Sequence, residues 1–428
     1  MNLKILLVGG GGREHALAWK IAQSPWVEKL YCAPGNPGIA GIAECVDIAA
    51  GDLEALEVFA VEKKIDLTVI GPEAPLVAGL ADRLRAAGQA VFGPSASAAA
   101  IEGSKAFMKD LLQRHHIPTA GYQVFSQPKA ALAYIRKQKI PIVVKASGLA
   151  SGKGAMVCHS LKEAEEAVHR SMIAREFGAA GQEVVVEEFL TGEEVSFMAF
   201  ADGERLLPLA SAQDHKAIGE GDTGPNTGGM GAYSPAPIVT PGLHDRIMSE
   251  IMEPVVRAMA MEGRPYRGLL YAGLMIDGDL LKVLEFNARF GDPETQPLLM
   301  RMRSDIVPHL LASASGTLAG MTIDWDPRPA VCVVMAAGGY PASYAGNLPI
   351  TGLQSVPPHG DVQVFHAGTR FDGGQVVTAG GRVLGVTGMG ETITRARDVT
   401  YDVVHRIHWQ DVYFRRDIAH RAIAREVS

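Results

Sequence analysis

The sequence predicts an α/β protein of more than one domain, and three stretches carry that expectation. Over the first hundred residues, short apolar runs alternate with amphipathic helical patterns, as in an open parallel α/β sheet. From about Lys105 the pattern becomes an α+β mixture around a glycine-rich loop, and from about Pro329 it is mostly strands. A length of 428 residues fits about three domains. The expected units are an N-terminal α/β unit over 1–104, a middle region over 105–325 and a C-terminal β-rich unit over 326–428.

In the first unit a strand at Leu3 to Val8 runs into the turn Gly9 to Gly12 and a helix at Glu14 to Gln23. Strands follow at Lys29 to Ala33 and Leu67 to Ile70, with helices at Leu53 to Lys63 and Leu76 to Ala87 flanking the second. Gly71-Pro72-Glu73 and Gly93-Pro94-Ser95 come just after strands, at the carboxyl ends where such sheets collect ligands. In the middle region a helix at Ser104 to His115 leads to short strands ending at Lys145, a helix at Leu161 to Ser171 and a strand at Glu183 to Glu187. The segment Gly219 to Ser234 reads as a long ordered loop, and Asp245 to Met261 as a helix. A hairpin pairs Leu270 to Ile276 with Leu280 to Phe286 around Asp277-Gly278. The last unit reads as strands at Ala330 to Ala336, Val362 to His366, Gln375 to Ala379 and Val383 to Thr387, closed by a helix from Thr392 to Ile407.

Composition narrows the function. Hydrophobic residues make up 47% and charged residues 20%, as in ordinary globular proteins. The net charge of −7 and the lack of a basic block argue against nucleic acid as a partner. The four cysteines form no C-x-x-C pair, so neither a zinc site nor a disulfide framework is expected, and a reducing cytoplasm is the natural setting. No apolar run approaches the ~20 residues of a membrane span. These features together point to small-molecule chemistry.

Several motifs carry that chemistry. Gly9 to Gly12 fails the dinucleotide spacing, because Glu14 stands where a third glycine belongs. Two readings stay open there: a single-phosphate site formed with Arg13 at a helix N-terminus, or a tight turn without ligand. Lys145 with the loop Gly148 to Gly154 is no Walker sequence, yet it supplies cations and backbone donors for polyphosphate. A solvated strand end and a plain turn is the other reading. Val184 to Leu190 followed by Glu194 suits an adenine edge and ribose hydroxyls, or else a buried strand ending in acids. Most informative is Val283 to Gln296: on a strand, Glu285, Asn287 and Arg289 share one face. That face offers two hard oxygen ligands for Mg²⁺ and a guanidinium for a phosphoryl or carboxylate group. Asp292-Pro293-Glu294 also reads as a helix start, with Asp292 as N-cap and Pro293 in the first helical position.

Taken in order, these motifs resemble the ATP-grasp family. So do Gly11 to Trp19, Gly71 to Leu76, Glu102 to Phe107, Gln213 to Lys216 and Asp222 to Pro235, the last being the most specific to one branch. The resemblance implies an ATP-grasp core over 105–325 with a mobile lid at about 121–192. It implies a carbon–nitrogen ligase that joins glycine to 5-phosphoribosylamine through a glycyl phosphate, forming ADP in purine biosynthesis. Lys105 and Lys145 would contact ATP phosphates under the loop of Gly148, Ser151, Gly152, Lys153 and Gly154. Glu187, Glu188, Phe189 and Leu190 would hold adenine, and Glu194 the ribose. Glu285 and Asn287 would bind Mg²⁺ or Mn²⁺. Gly10, Gly11, Gly12, Arg13, Asp214, Lys216, Arg289 and Asp292 would face the substrates, with Arg289 and Lys145 catalytic. A passing contact with the amidophosphoribosyltransferase that makes phosphoribosylamine is also implied. One departure stands out: the strand Tyr271 to Met275 lacks the acid that some ATP-grasp enzymes add, so one metal ion is more secure than two.

Overall fold

The computed structural model describes residues 2–150, 152–356 and 360–427. Strand Leu3–Gly9 forms the centre of a five-stranded parallel sheet, between Val27–Pro34 and Leu67–Ile70, with Glu44–Cys45 and Val91–Phe92 at the edges. Ile5 to Val8 have no solvent exposure, as expected for a parallel strand covered on both faces. Strand order changes direction beside this strand, so the turns after Leu3–Gly9 and Leu67–Ile70 border the crevice where such sheets bind ligands. The helix expected at Leu76 to Ala87 is instead two, Glu73–Val77 and Leu80–Ala86. Between them Gly79 takes a φ of +91°, a left-handed conformation that a continuous helix cannot contain.

Two antiparallel four-stranded sheets make up the middle of the chain. One orders Tyr122–Phe125, Val184–Glu188, Ile142–Ala146 and Ala155–Cys158 around its own small core, which includes Ile135, Val144, Ala164 and Val186. The other orders Leu206–Pro208, Glu193–Asp202, Arg267–Asp277 and Leu280–Asn287, the last as an edge strand. They meet where Lys145 Nζ donates to the Leu284 carbonyl at 3.2 Å and Lys282 pairs with Glu188 at 3.1 Å. The expected hairpin at Asp277-Gly278 is present, with Gly278 at φ +57°.

Two readings of this region need correction. The helix expected over Asp245 to Met261 begins earlier, at Pro241, and slips through a π turn at Met248–Met252 before resuming as Glu253–Met261. Pro254 has no N–H to bond one turn back and its ring crowds the carbonyl there, so the ladder widens by one residue. The long loop expected at Gly219 to Ser234 is largely strand. Ala217–Gly219 pairs with Thr223–Asn226, and Gly231–Ser234 enters a sheet. Its glycines and Pro225 hide the pattern, because alternation needs side chains to be legible.

That last sheet orders Gln213–Asp214, Gly231–Ser234, Ala330–Ala336, Arg382–Met389 and Val362–His366. Two of its strands therefore come from the middle of the chain. Gln375–Thr378 stands apart, paired with Thr369–Asp372 in a ribbon. Helix Ile393–Val404 covers the sheet, and a helix absent from the sequence reading, His420–Val427, follows it. Among the described residues no helix is long and apolar enough to cross a membrane.

Candidate active site

The parallel sheet's crevice, the edge strand Leu280–Asn287, the glycine loop and the C-terminal sheet enclose a cleft of about 320 Å³. Arg289 is a heavily engaged cation in it. The strand stops at Asn287 and Leu284 bulges from the pairing, so Arg289 lies past the regular alternation, yet it reaches the same cleft. Its guanidinium stands 3.0 Å from Glu102 and 3.2 Å from Glu73, and it donates to Asn287 Oδ1 at 3.1 Å. Burial alone would raise Glu73, but Arg289 and Arg13 hold it down to about 2. Glu102 is raised by burial against the pull of Arg289, and its other oxygen accepts the Ala288 amide at 2.6 Å.

Glu285 is the strand's acid in the cleft. Burial by itself would raise its carboxyl, but Lys216, Lys145, Lys105 and Arg289 bring it down to about 2. It is ionised and offers a hard oxygen. Lys216 Nζ stands 3.7 Å from Glu285 and makes a closer ion pair with Glu194. Despite burial, Lys216 is held protonated by Glu194, Asp214 and Glu285. Asp214 is raised by burial and by Glu294, Glu194 and Glu285, against the pull of Lys216. Gly273 stands opposite Glu285. Glu194 Oε1 lies 3.8 Å from where a Cβ would sit, so an acid from the neighbouring strand reaches that space. Glu285 with Asn287 fits a divalent cation chemically, being a carboxylate and an amide oxygen at one strand end.

The polyphosphate candidates divide into two groups. Lys105, Gly152 and Gly154 line the cleft, as do Leu149 and Ala150. Lys105 Nζ donates to the Gly148 carbonyl at 3.4 Å, and the Gly148 amide donates to Ala180 O at 3.1 Å. Lys153 is exposed and donates to Pro341 O at 3.1 Å, so the loop tip reaches the C-terminal region. Ser151 lies outside the described residues. Lys145 is instead buried, 3.0 Å from Glu187. Glu187 is buried as well and also pairs with Lys109 at 3.0 Å; its Oε1 has no partner. Glu188 turns outward to Lys282 and accepts the Gly121 amide at 3.2 Å; Phe189 is half-buried beside His159, and Leu190 is buried.

At the opposite end, the turn Gly10 to Gly12 is built around Glu14. This acid stands in the third-glycine position because its carboxylate accepts the Gly11 amide at 2.7 Å and Arg13 Nε at 2.6 Å. The Gly11 amide is therefore already used by Glu14. A Cβ on Gly10 would lie 2.4 Å from the Gly35 carbonyl, so glycine is needed for that approach. Asp292 is not the expected N-cap. The helix begins at Thr295, and Asp292 instead accepts Gln296 Nε2 at 2.9 Å and faces Arg382 at 3.4 Å. Arg382 and Arg13 hold its carboxyl below the usual range against burial.

The sequence matches three family profiles in order. The phosphoribosylglycinamide synthetase N domain covers residues 3–102, the ATP-grasp (A) domain 103–295 and the C domain 330–421. A phosphoribosylamine–glycine ligase of Allochromatium vinosum is 58% identical over 429 residues, covering 100% of both chains. The chain belongs to the phosphoribosylglycinamide synthetase family. The crystal structure of a phosphoribosylamine–glycine ligase from Thermotoga maritima superposes with a TM-score of 0.85 at 32% identity, covering 97% of this chain and 100% of that one. A biotin carboxylase domain from Hydrogenobacter thermophilus shares the fold, with a TM-score of 0.74 at 16% identity over 96% of this chain and 92% of its own.

For this phosphoribosylglycinamide synthetase family member, sequence reasoning left four groups unassigned, three lining the cleft and one, Lys109, buried behind it. Glu73 and Glu102 stood in quoted motifs, but nothing in the sequence pairs them with Arg289. Lys109 stands one helical turn beyond Lys105, a spacing that puts both on one face. Arg382 gives no signal beyond following Gly380-Gly381, yet it lines the cleft and donates to Asp292 O at 2.7 Å. His215, Asp222 and His420 bring their ligand atoms within 4.8 Å of one another, a spacing metal ligands share. They are not a metal centre: Arg415 and Arg421 already neutralise Asp222, and His215 Nε2 accepts the Ala419 amide at 3.0 Å.

Proposed function

We propose that the chain joins glycine to 5-phosphoribosylamine, converting ATP to ADP and phosphate through a glycyl phosphate. Family membership supports the overall reaction. The observation that carries the assignment of residues is one cleft lined by Glu285, Asn287, Arg289, Lys105, Lys216 and Arg13. In this reading ATP lies between the two antiparallel sheets. Lys105 and Lys145 meet its phosphates, and the unpartnered Glu187 Oε1 accepts the adenine amine with Glu188, Phe189 and Leu190 around the base. Glu194 takes the ribose hydroxyls in place of Lys216. Glu285 and Asn287 would hold Mg²⁺, or Mn²⁺, which when bound neutralises phosphate charge. Asn287 must then share its oxygen with Arg289.

Glycine, with its carboxylate held by Arg289 and Lys216 and its ammonium facing Asp214, attacks the γ-phosphorus through a carboxylate oxygen. The γ-phosphoryl group leaves ADP and becomes bonded to a glycine carboxylate oxygen. The amine of phosphoribosylamine, anchored through its phosphate by Arg13 and the turn Gly10 to Gly12 and with Asp292 facing its ribose hydroxyls, then attacks the acyl carbon and expels phosphate. No protein nucleophile is needed; positioning and charge stabilisation supply the catalysis. The proposal also takes 1–104, 105–325 and 326–428 as its units, 121–192 as a closing lid, the cytoplasm as the setting, and a passing contact with the amidophosphoribosyltransferase. The test is ADP release by the purified protein. It should require glycine and phosphoribosylamine together, and equal release when either is omitted would defeat the proposal.

A further inference from the structure

Lys109 lies in the helix Lys105–Arg114 and has no solvent exposure. Its ammonium donates to Thr119 Oγ1 at 2.8 Å and stands 3.0 Å from Glu187 Oε2. Lys145 Nζ stands 3.0 Å from that same oxygen. Two ammonium groups therefore share one carboxylate oxygen, and the trio carries an excess positive charge away from water. Burial, together with the neighbouring Lys145, lowers Lys109 to about 8 against the pull of Glu187. An excess buried charge is unfavourable unless an anion joins it.

The two lysines are not equivalent. Lys109 is anchored through Thr119, whose hydroxyl donates in turn to the Val283 carbonyl at 2.7 Å. Lys145 stands at the strand end where the glycine loop begins, and its other partner is the Leu284 carbonyl at 3.2 Å. We propose that Lys109 is a positioning residue, the permanent counter-ion of Glu187, which leaves Lys145 free to be drawn onto the phosphates of ATP. This inference rests on the ATP-dependent reading above. With Lys109 in place, Glu187 keeps a partner when Lys145 turns to the nucleotide. Without it, the same movement would strand a buried carboxylate, so Glu187 would compete with phosphate for Lys145.

Steady-state kinetics of Lys109→Met, Glu187→Gln and the double variant test this on the full chain. Lys109→Met should lower kcat/KM for ATP about tenfold or more, with KM for glycine and phosphoribosylamine within about twofold. Glu187→Gln removes the charge that detains Lys145, so the double variant should match Glu187→Gln alone. A packing role for Lys109 would give no such relief. The proposal is overturned if folded Lys109→Met keeps kcat/KM within about twofold of the parent, or if the double variant falls about tenfold below Glu187→Gln. Should Lys109→Met not fold, the second comparison decides alone. Failure of the functional reading would appear instead as no ATP turnover in the unaltered protein, whereas failure of this inference leaves that turnover intact.

Discussion

Replacing Glu285 with Gln should separate nucleotide binding from turnover. The carboxyl titrates at about 2 rather than 4.5 because Lys216, Lys145, Lys105 and Arg289 outweigh the burial that would raise it. A shift of that size corresponds to roughly 3 kcal/mol, which partial solvent exposure reduces toward about 2 kcal/mol. Glu285→Gln leaves those cations without that counter-charge. Metal-free ATP should therefore bind the variant about tenfold more tightly, since about 1.4 kcal/mol is tenfold in affinity. Turnover should move the other way, falling about 100-fold or more, if Glu285 is the charged metal ligand proposed above. Calorimetric titration in chelator gives the first quantity, ADP release at saturating Mg²⁺ the second, and circular dichroism checks the fold. Weaker metal-free binding, or near-normal turnover in a folded variant, would refute the reasoning.

Three further outcomes follow from named contacts. Gly10→Ala places a Cβ against the Gly35 carbonyl; it should raise KM for phosphoribosylamine about tenfold while KM for ATP holds. Glu73 is held down to about 2, so its stabilising contribution is full above pH ~4.5 and lost as pH falls toward 2. Glu73→Gln should accordingly cost about 2–3 kcal/mol in urea unfolding at pH 7, and the gap to the parent should close in acid. Proteolysis after the exposed Lys153 should slow when Mg-ATP is added, and equal rates with and without nucleotide would count against a closing loop.

What the sequence disclosed and what it hid have a common physical cause. Local periodicity revealed Leu3–Gly9, Leu67–Ile70 and the hairpin at Gly278, because each element's neighbours in sequence set its pattern. Glu285, Asn287 and Arg289 were legible together because two-residue spacing on a strand implies one face. Their partners were not: Glu73 is brought to Arg289 from 216 residues away. Lys109 reads in sequence as an ordinary helix charge, and only the fold brings it against Glu187. Arg382 enters the cleft only because the strands Gln213–Asp214 and Gly231–Ser234 join the C-terminal sheet. Glu14 shows the opposite case. It looked like a failed glycine motif, and its carboxylate turns out to organise the turn.

The most direct test of the central claim follows one oxygen atom. Glycine labelled with ¹⁸O in its carboxylate is turned over with ATP and phosphoribosylamine, and the products are analysed by mass spectrometry. Transfer through a glycyl phosphate predicts inorganic phosphate carrying one label and an amide retaining one. Unlabelled phosphate, or label appearing in AMP with release of pyrophosphate, would contradict the account.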